Sequence, residues 1–253
     1  MRELEQHDDL VKQRDDLSVE RCTLYNQIGQ PEKAAKSLAS QRFQPWEGGE
    51  GGPVGQHVRS QLALGRAAMK KNDFNSARLH FEQALTSPQN LGEAKHLLAN
   101  QSDIHYWLGC AFTGLGEPAK AREHWLTAAN FKGDFQEMSV RAFSEMTYFS
   151  ALSWEKLGKR AKAQKHFREL LAFARKLQTT AAKIDYFATS LPTMLLFDDD
   201  LQFRQATTAL FLQAQAQLGL EKKAKAKALL QPVLRRDPNH ALAADLLREM
   251  TGT

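Results

Sequence analysis

Apolar residues recur three and four positions apart along most of the chain, as in Leu62-Ala63-Leu64 with Ala67-Ala68 and in Phe167 with Leu170-Leu171 and Ala174. That spacing lines one face of an α-helix. Sustained alternation of apolar and polar positions, the mark of a half-buried strand, is absent, and Val and Ile are scarce. Gly (15) and Pro (8) are few and sit between the periodic stretches, where they punctuate helices. The pattern predicts an almost wholly helical protein with next to no sheet.

The helices follow a repeat. A small residue late in a first helix is followed by a turn, then by Ala and a bulky residue four apart on a second helix. The segments are Tyr25 to Gly29 with Ala34 and Leu38; Leu64-Gly65, Asn72, Ala77, Phe81, Ala84; Leu108-Gly109, Gly116, Ala121, Trp125, Ala128; and Trp154, Gly158, Ala163, Phe167, Leu170. A fifth match is looser: Leu218-Gly219 marks its turn, and Leu230, Val233, Asp237 and Pro238 close its second helix, with two registers open, two residues apart. The second-helix alanines 34, 77, 121 and 163 are spaced 43, 44 and 42 residues apart. Tetratricopeptide repeats show this pattern at about 34 residues, so each unit here has longer helices or loops. Gly65, Gly109 and Ala151 allow close helix approach, and Phe81, Trp125 and Phe167 fill the space between hairpins. Helical hairpins of this kind bury their apolar faces only by stacking. The expected fold is an all-α, tetratricopeptide-type helix-turn-helix solenoid, an α-α superhelix of about 12 helices in one domain over 1–253. Its units are 10–40, 55–90, 101–131, 135–177 and 200–236, with an insertion at 180–200 and a capping helix at 239–250. The insertion reads as a short helix, a break at Pro192, and acids Asp198-Asp199-Asp200 that cap the next helix in preference to binding a cation.

Formal net charge is +5, with Lys and Arg interspersed among Asp and Glu. That is a solvated-face pattern and argues against nucleic acid as a partner. Cys22 and Cys110 are far apart in apolar contexts, which argues against a disulfide framework. No apolar run approaches the ~20 residues of a membrane span, and the acidic, polar start is no signal peptide. A cytoplasmic protein without membrane contact is expected.

Several strings are unusual for such a repeat array: Arg42-Phe43-Gln44-Pro45-Trp46-Glu47-Gly48-Gly49-Glu50-Gly51, Asn90 to Lys95, Asp103 to Gly109, and Tyr186-Phe187 to Leu201. Together, from about Leu10 to Met250, they resemble the C-terminal repeat region of a family of large, mostly bacterial proteins. In that family the repeats follow an N-terminal domain resembling carbohydrate-handling β-sandwiches. The resemblance implies that the chain is a fragment of a larger protein, that the absent domain is one candidate partner, and that no catalytic residue lies in this region.

In the repeat register the inner, concave face takes its residues from first helices. These are Arg59, Arg66 and Lys70 in the second unit, Tyr106, Trp107 and Cys110 in the third, and Tyr148, Phe149, Leu152 and Glu155 in the fourth. Arg can pair with a carboxylate, and Tyr and Trp offer rigid contact area, so a groove of this kind suits a peptide or a partner loop. The competing reading packs these aromatics against neighbouring helices. A Lys/Asn clamp for a peptide carboxylate is incomplete, with Asn26 its only Asn. The loop of Phe43, Trp46, Glu47 and Glu50 is a second candidate, as a docking loop or as a connector pinned by Phe43 and Trp46. It lacks the Gly-Lys-Ser/Thr ending of a phosphate-binding loop. The eight His form no zinc-protease spacing, no nucleophile elbow is present, and no metal or cofactor is expected. The sequence thus points to a non-enzymatic scaffold that binds a protein or peptide through its concave face. Its alternatives are an accessory domain of a carbohydrate-active protein and a homo-oligomerisation module.

Overall fold

The computed structural model describes residues 1–46, 48–136, 139–182 and 200–251. Two short helices, α1 (Arg2–Gln6) and α2 (Asp8–Gln13), lead into helix pairs: α3 (Asp15–Gln27) with α4 (Pro31–Ala39), α5 (Gly52–Lys70) with α6 (Phe74–Leu85), α7 (Ser102–Gly114) with α8 (Pro118–Asn130), α9 (Thr147–Lys156) with α10 (Arg160–Thr179), and α11 (Leu201–Gly219) with α12 (Lys223–Arg236). Helix α13 (Ala241–Thr251) closes the order. The described residues thus form 13 α-helices, and the all-α expectation holds. One departure is a small antiparallel hairpin, β1 (Asp134–Gln136) with β2 (Ser139–Arg141), in which Asp134 stands opposite Arg141. It follows Gly133 at φ 72°, where an added Cβ would lie 2.8 Å from the Arg141 carbonyl oxygen.

All five pairs turn in the same way. Gly29, Asn72, Gly116, Gly158 and Glu221 each have positive φ. After each, the next amide donates to the carbonyl five residues back: Gln30 to Tyr25, Asp73 to Ala68, Glu117 to Phe112, Lys159 to Trp154 and Lys222 to Gln217, at 2.8 to 3.0 Å. This closure satisfies carbonyls that a helix end leaves open, and it requires a left-handed residue at its corner. Counting from that corner aligns the units. Seven residues before it stand Cys22, Gly65, Gly109, Ala151 and Ala214, all buried. Five residues after it stand Ala34, Ala77, Ala121, Ala163 and Ala226, each 0–1% exposed. The register of the last pair, open in the sequence, is fixed by Glu221 and Ala226. The corners are 43, 44, 42 and 63 residues apart, so the last interval is longer by about twenty residues. Most of the expected insertion, 183–199, lies outside the described residues.

The small positions are close contacts. A Cβ on Gly65 would come within 2.2 Å of the Phe81 ring, and one on Gly219 within 2.2 Å of the Phe167 ring. Phe81 and Phe167 are fully buried, whereas Trp125 at the matching position is half-buried, with the Lys156 ammonium 6.0 Å from its ring.

By packing, the chain divides into two compact units, one of Met1–Leu97 with Ile104–His124 and one of Leu98–Asp103 with Trp125–Thr253. The first has a core of Cys22, Ala34, Leu38, Phe43, Val54 and Leu91. Burial raises the Cys22 thiol pKa, so it stays an uncharged, small core group. In the second, Phe167 packs with Ala151, Trp154 and Ala163, and Leu230 and Val233 pack with Ala243 and Leu246 of α13. The apolar face of α13 is therefore covered by the last pair. No helix among the described residues is long and apolar enough to cross a membrane.

Candidate functional site

In the first unit, helix α5 distributes its basic residues by depth. Arg59 is buried, and its Nη2 donates to Gln27 Oε1 at 2.8 Å. Arg66, one turn short of the helix end, is half-buried, and Lys70 is exposed. Asn26 is buried: its amide donates to Gln56 Oε1 and its carbonyl accepts from Ser60 Oγ, each at 3.0 Å. It ties α3 to α5.

Helix α7 carries Tyr106 and Trp107, both half-buried and in edge contact with ring centroids 5.3 Å apart. Trp107 also stacks on Phe81 at 6.0 Å. Its indole Nε1 is shielded from water and has no hydrogen-bond acceptor among the described residues. Such a donor loses its hydration and gains nothing in return, at a cost of ~1–3 kcal/mol, so it is rare in native proteins.

The equivalent residues of the second unit, Tyr148 and Phe149, meet in the same edge geometry, also 5.3 Å apart. Their exposure differs. Tyr148 is 7% exposed and packs on Phe167 at 5.9 Å, while Phe149 is half-buried. Burial, with Glu249 and Glu155 nearby, raises the Tyr148 hydroxyl pKa well above the usual phenol range, so it remains neutral. The basic residues belong to the first unit, and each aromatic pair stands in its own unit.

The connector between α4 and α5 is held on both sides. Phe43 is 1% exposed, and its amide donates to the Asn90 carbonyl at 2.7 Å. Asn90 in turn donates to the carbonyls of Leu38 and Gln41, each at 2.8 Å. Gly92, at φ 76°, lies so close that a Cβ would sit 2.5 Å from the Phe43 carbonyl oxygen. Trp46 is half-buried, and its ring covers Gly49. The Gly51 amide donates to Glu93 Oε2 at 2.8 Å, and Glu50 is exposed. Glu47 lies outside the described residues. Two strings singled out in the sequence, 42–51 and 90–95, are thus one interlocked pair of loops.

Two features were not foreseen. His105 and His124 face each other with their Nδ1 atoms 2.9 Å apart, and Phe112 stacks on His124 at 5.2 Å. Burial, helped by His124 and Lys95, lowers the His105 pKa to about 4, and burial lowers that of His124 as well. The pair is a neutral one near pH 7, with one ring donating to the other. The second feature is a cavity of about 340 Å³ in the second unit, walled by the 141–145 segment, α10 and α11. Residues 19 apart in the first case, and drawn from three separate segments in the second, give no signal in a linear pattern.

Family models of the tetratricopeptide repeat match residues 58–91, which take in most of α5 and all of α6, and residues 208–240, which cover most of α11 and all of α12. Among solved structures, the tetratricopeptide protein YrrB, described as having an unusual peptide-binding site, aligns over 97% of this chain and 97% of its own at 14% identity and a TM-score of 0.33. That overlap is too loose to bear on fold or function. The repeat matches and the five equivalent turns identify an all-α fold built of tetratricopeptide-type repeats.

Proposed function

We propose that this chain is a non-enzymatic scaffold for a protein or peptide partner, and that the partner docks on first-helix residues Arg66, Lys70, Tyr106 and Trp107. The repeat carries this reading. The second helices bury their repeat alanines together with Phe81 and Phe167, while the first helices α5 and α7 leave Arg66, Tyr106 and Trp107 half-buried and Lys70 exposed. In repeats of this kind the first helices line the concave side, which is the surface we assign to the partner. Lys70 and Arg66 favour a partner segment carrying a carboxylate. Arg59 and Tyr148 act from beneath, by holding α5 and α9 in place. By the family resemblance, a β-sandwich-like domain is one candidate partner.

The test is affinity capture on the immobilised chain from cells that express it, beside the double variant Arg66→Ala/Tyr106→Ala. Central aromatic and Arg contacts carry ~2 kcal/mol or more each, so the variant should retain little of the partner while keeping the helical spectrum and melting temperature of the parent. Equal capture by both proteins would remove the assignment of this surface.

A further inference from the structure

The starts of α10 and α12 meet at one edge of the second unit. Arg160 Nη2 donates to Glu221 Oε1 at 2.8 Å, and Gln164 Nε2 donates to the Gly219 carbonyl at 3.5 Å. The chain enters α10 through Lys159 and α12 through Lys222, and neither start has a side-chain cap or an acid in its first turn. By contrast, α6 and α11 are capped by Asp73 and Asp200. Cations at a helix start oppose the helix dipole, so this edge holds positive charge where it costs stability.

Interspersed along the sequence, the cations are gathered here by the fold. Lys222, Lys223, Lys225 and Lys227 are exposed, and no carboxylate stands among them in the chain. At about 100° per residue, Lys223 and Lys227 lie on one flank of α12 and Lys225 on the other, with the exposed Ala224 and Ala228 between. Their arms can therefore reach a surface laid across the helix. The neighbouring acids are engaged elsewhere: Glu221 pairs with Arg160 at 2.8 Å, Glu169 with Lys165 at 3.8 Å, and Asp245 of α13 with Arg248 at 3.4 Å. Glu155 of α9 is half-buried, and Glu249 of α13 lies near Tyr148 of α9. Among the described residues, none of the four α12 lysines has a carboxylate partner. Residues 183–199, outside the described ones, connect the opposite ends of α10 and α11, helices of 20 and 19 residues that each run roughly 30 Å.

The chemistry of the edge selects among polyanions. Lysine is a compact, hydrated point charge that suits phosphate oxygens, whereas protein interfaces are depleted in it and hold carboxylates through the fork of arginine. Phosphate contacts draw on lysines and open helix starts together, and this edge offers both. The rings nearest to it, Trp154 and Phe167, are buried, and the Lys162 ammonium covers Trp154 at 3.3 Å, so they give an unpaired base nothing to stack on. The apolar residues Ala226, Leu230 and Val233 of α12 are buried and do not reach a lipid surface. We infer that this edge binds the phosphate backbone of a duplex nucleic acid, by charge and without reading its sequence. The inference is independent of the docking surface on α5 and α7.

Fluorescence anisotropy of the whole chain with a labelled duplex of about 24 base pairs, as DNA and as RNA, tests it between about 50 and 200 mM salt. At least one duplex should bind saturably at the lower salt, and a second of unrelated sequence should bind within about twofold of it. The logarithm of the affinity should fall with that of salt at a slope near about −3.6, the value for four released counterions. Lys225→Gln/Lys227→Gln should weaken binding by at least about tenfold and make the slope shallower by about 2. Lys33→Gln/Lys36→Gln removes the same charge from exposed positions on α4 and should stay within about twofold of the parent. All four positions are exposed, so both variants should keep the helical spectrum of the parent. Polyglutamate, and vesicles of equal parts phosphatidylserine and phosphatidylcholine, should compete weakly with the labelled duplex. No saturable binding of either duplex, equal loss from the α4 and α12 variants, or displacement of the duplex by polyglutamate or vesicles at matched charge would each overturn the inference.

Discussion

At the scale of single residues, the burial of His105, with His124 beside it, makes stability depend on pH. The fold keeps His105 neutral, with its pKa lowered from 6.5 to about 4. Between those values the unfolded chain takes up a proton that the folded chain does not, so stability is complete above pH 6.5 and declines as pH falls toward 4. The melting temperature should drop by a few degrees from pH 7 to pH 5, and His105→Gln should make that drop shallower. A variant with the slope of the parent would assign the effect to the other buried histidines, whose pKa values burial also lowers. A second residue-scale prediction concerns Gly65, where a methyl group would overlap the Phe81 ring. Gly65→Ala should destabilise by about 3 kcal/mol in chemical unfolding, as overpacking does. With Phe81→Leu added, the loss should be smaller than the two single losses taken together, which a double-mutant cycle reads directly.

At the scale of elements, the shared unit is the helix pair with its left-handed corner. Four corners were visible in the sequence because Gly and Asn announce them. The fifth was placed two residues early, at Leu218-Gly219, because Gly219 belongs to α11 and Glu221 stands at the corner, at φ 63°. A side chain in that conformation costs ~1–2 kcal/mol, and the exposed ion pair of Glu221 with Arg160 offsets little of it. Glu221→Gly should therefore raise stability by about 1 kcal/mol, and Gly158→Ala should lower it by a similar amount. No gain from Glu221→Gly in a denaturant titration would show that the pair with Arg160 offsets the strain. The sequence also left the 42–51 connector between two readings. The structure shows Phe43 held in the core and Glu50 exposed. Phe43→Ala should cost about 3–5 kcal/mol, whereas Glu50→Gln should cost nothing measurable. What sequence reasoning lacked was the partner loop: the contacts of Phe43 with Asn90 and Gly92 join residues almost fifty positions apart. The β1–β2 hairpin was missed for the opposite reason. Its three-residue strands are too short to display alternation.

At the scale of the whole molecule, fold class was legible because repetition multiplies a weak signal: one Ala with one bulky residue four positions on means little, and four such pairs at near-constant spacing define an architecture. The binding surface was less legible, because periodicity says which side of a helix faces inward but not how deep a residue lies. Tyr106 and Tyr148 hold the same place in their helices, yet one is half-buried and the other is 7% exposed. The unsatisfied Trp107 indole and the cavity of the second unit are properties of assembled helices and have no linear signature. The scaffold reading is tested most directly by site-specific photo-cross-linking in cells that express the protein, with p-benzoylphenylalanine at Tyr106 on α7 or at Lys225 on α12. The account predicts a discrete adduct with one protein from position 106 and none from position 225. No adduct at 106, or the same adducts from both positions, would contradict it.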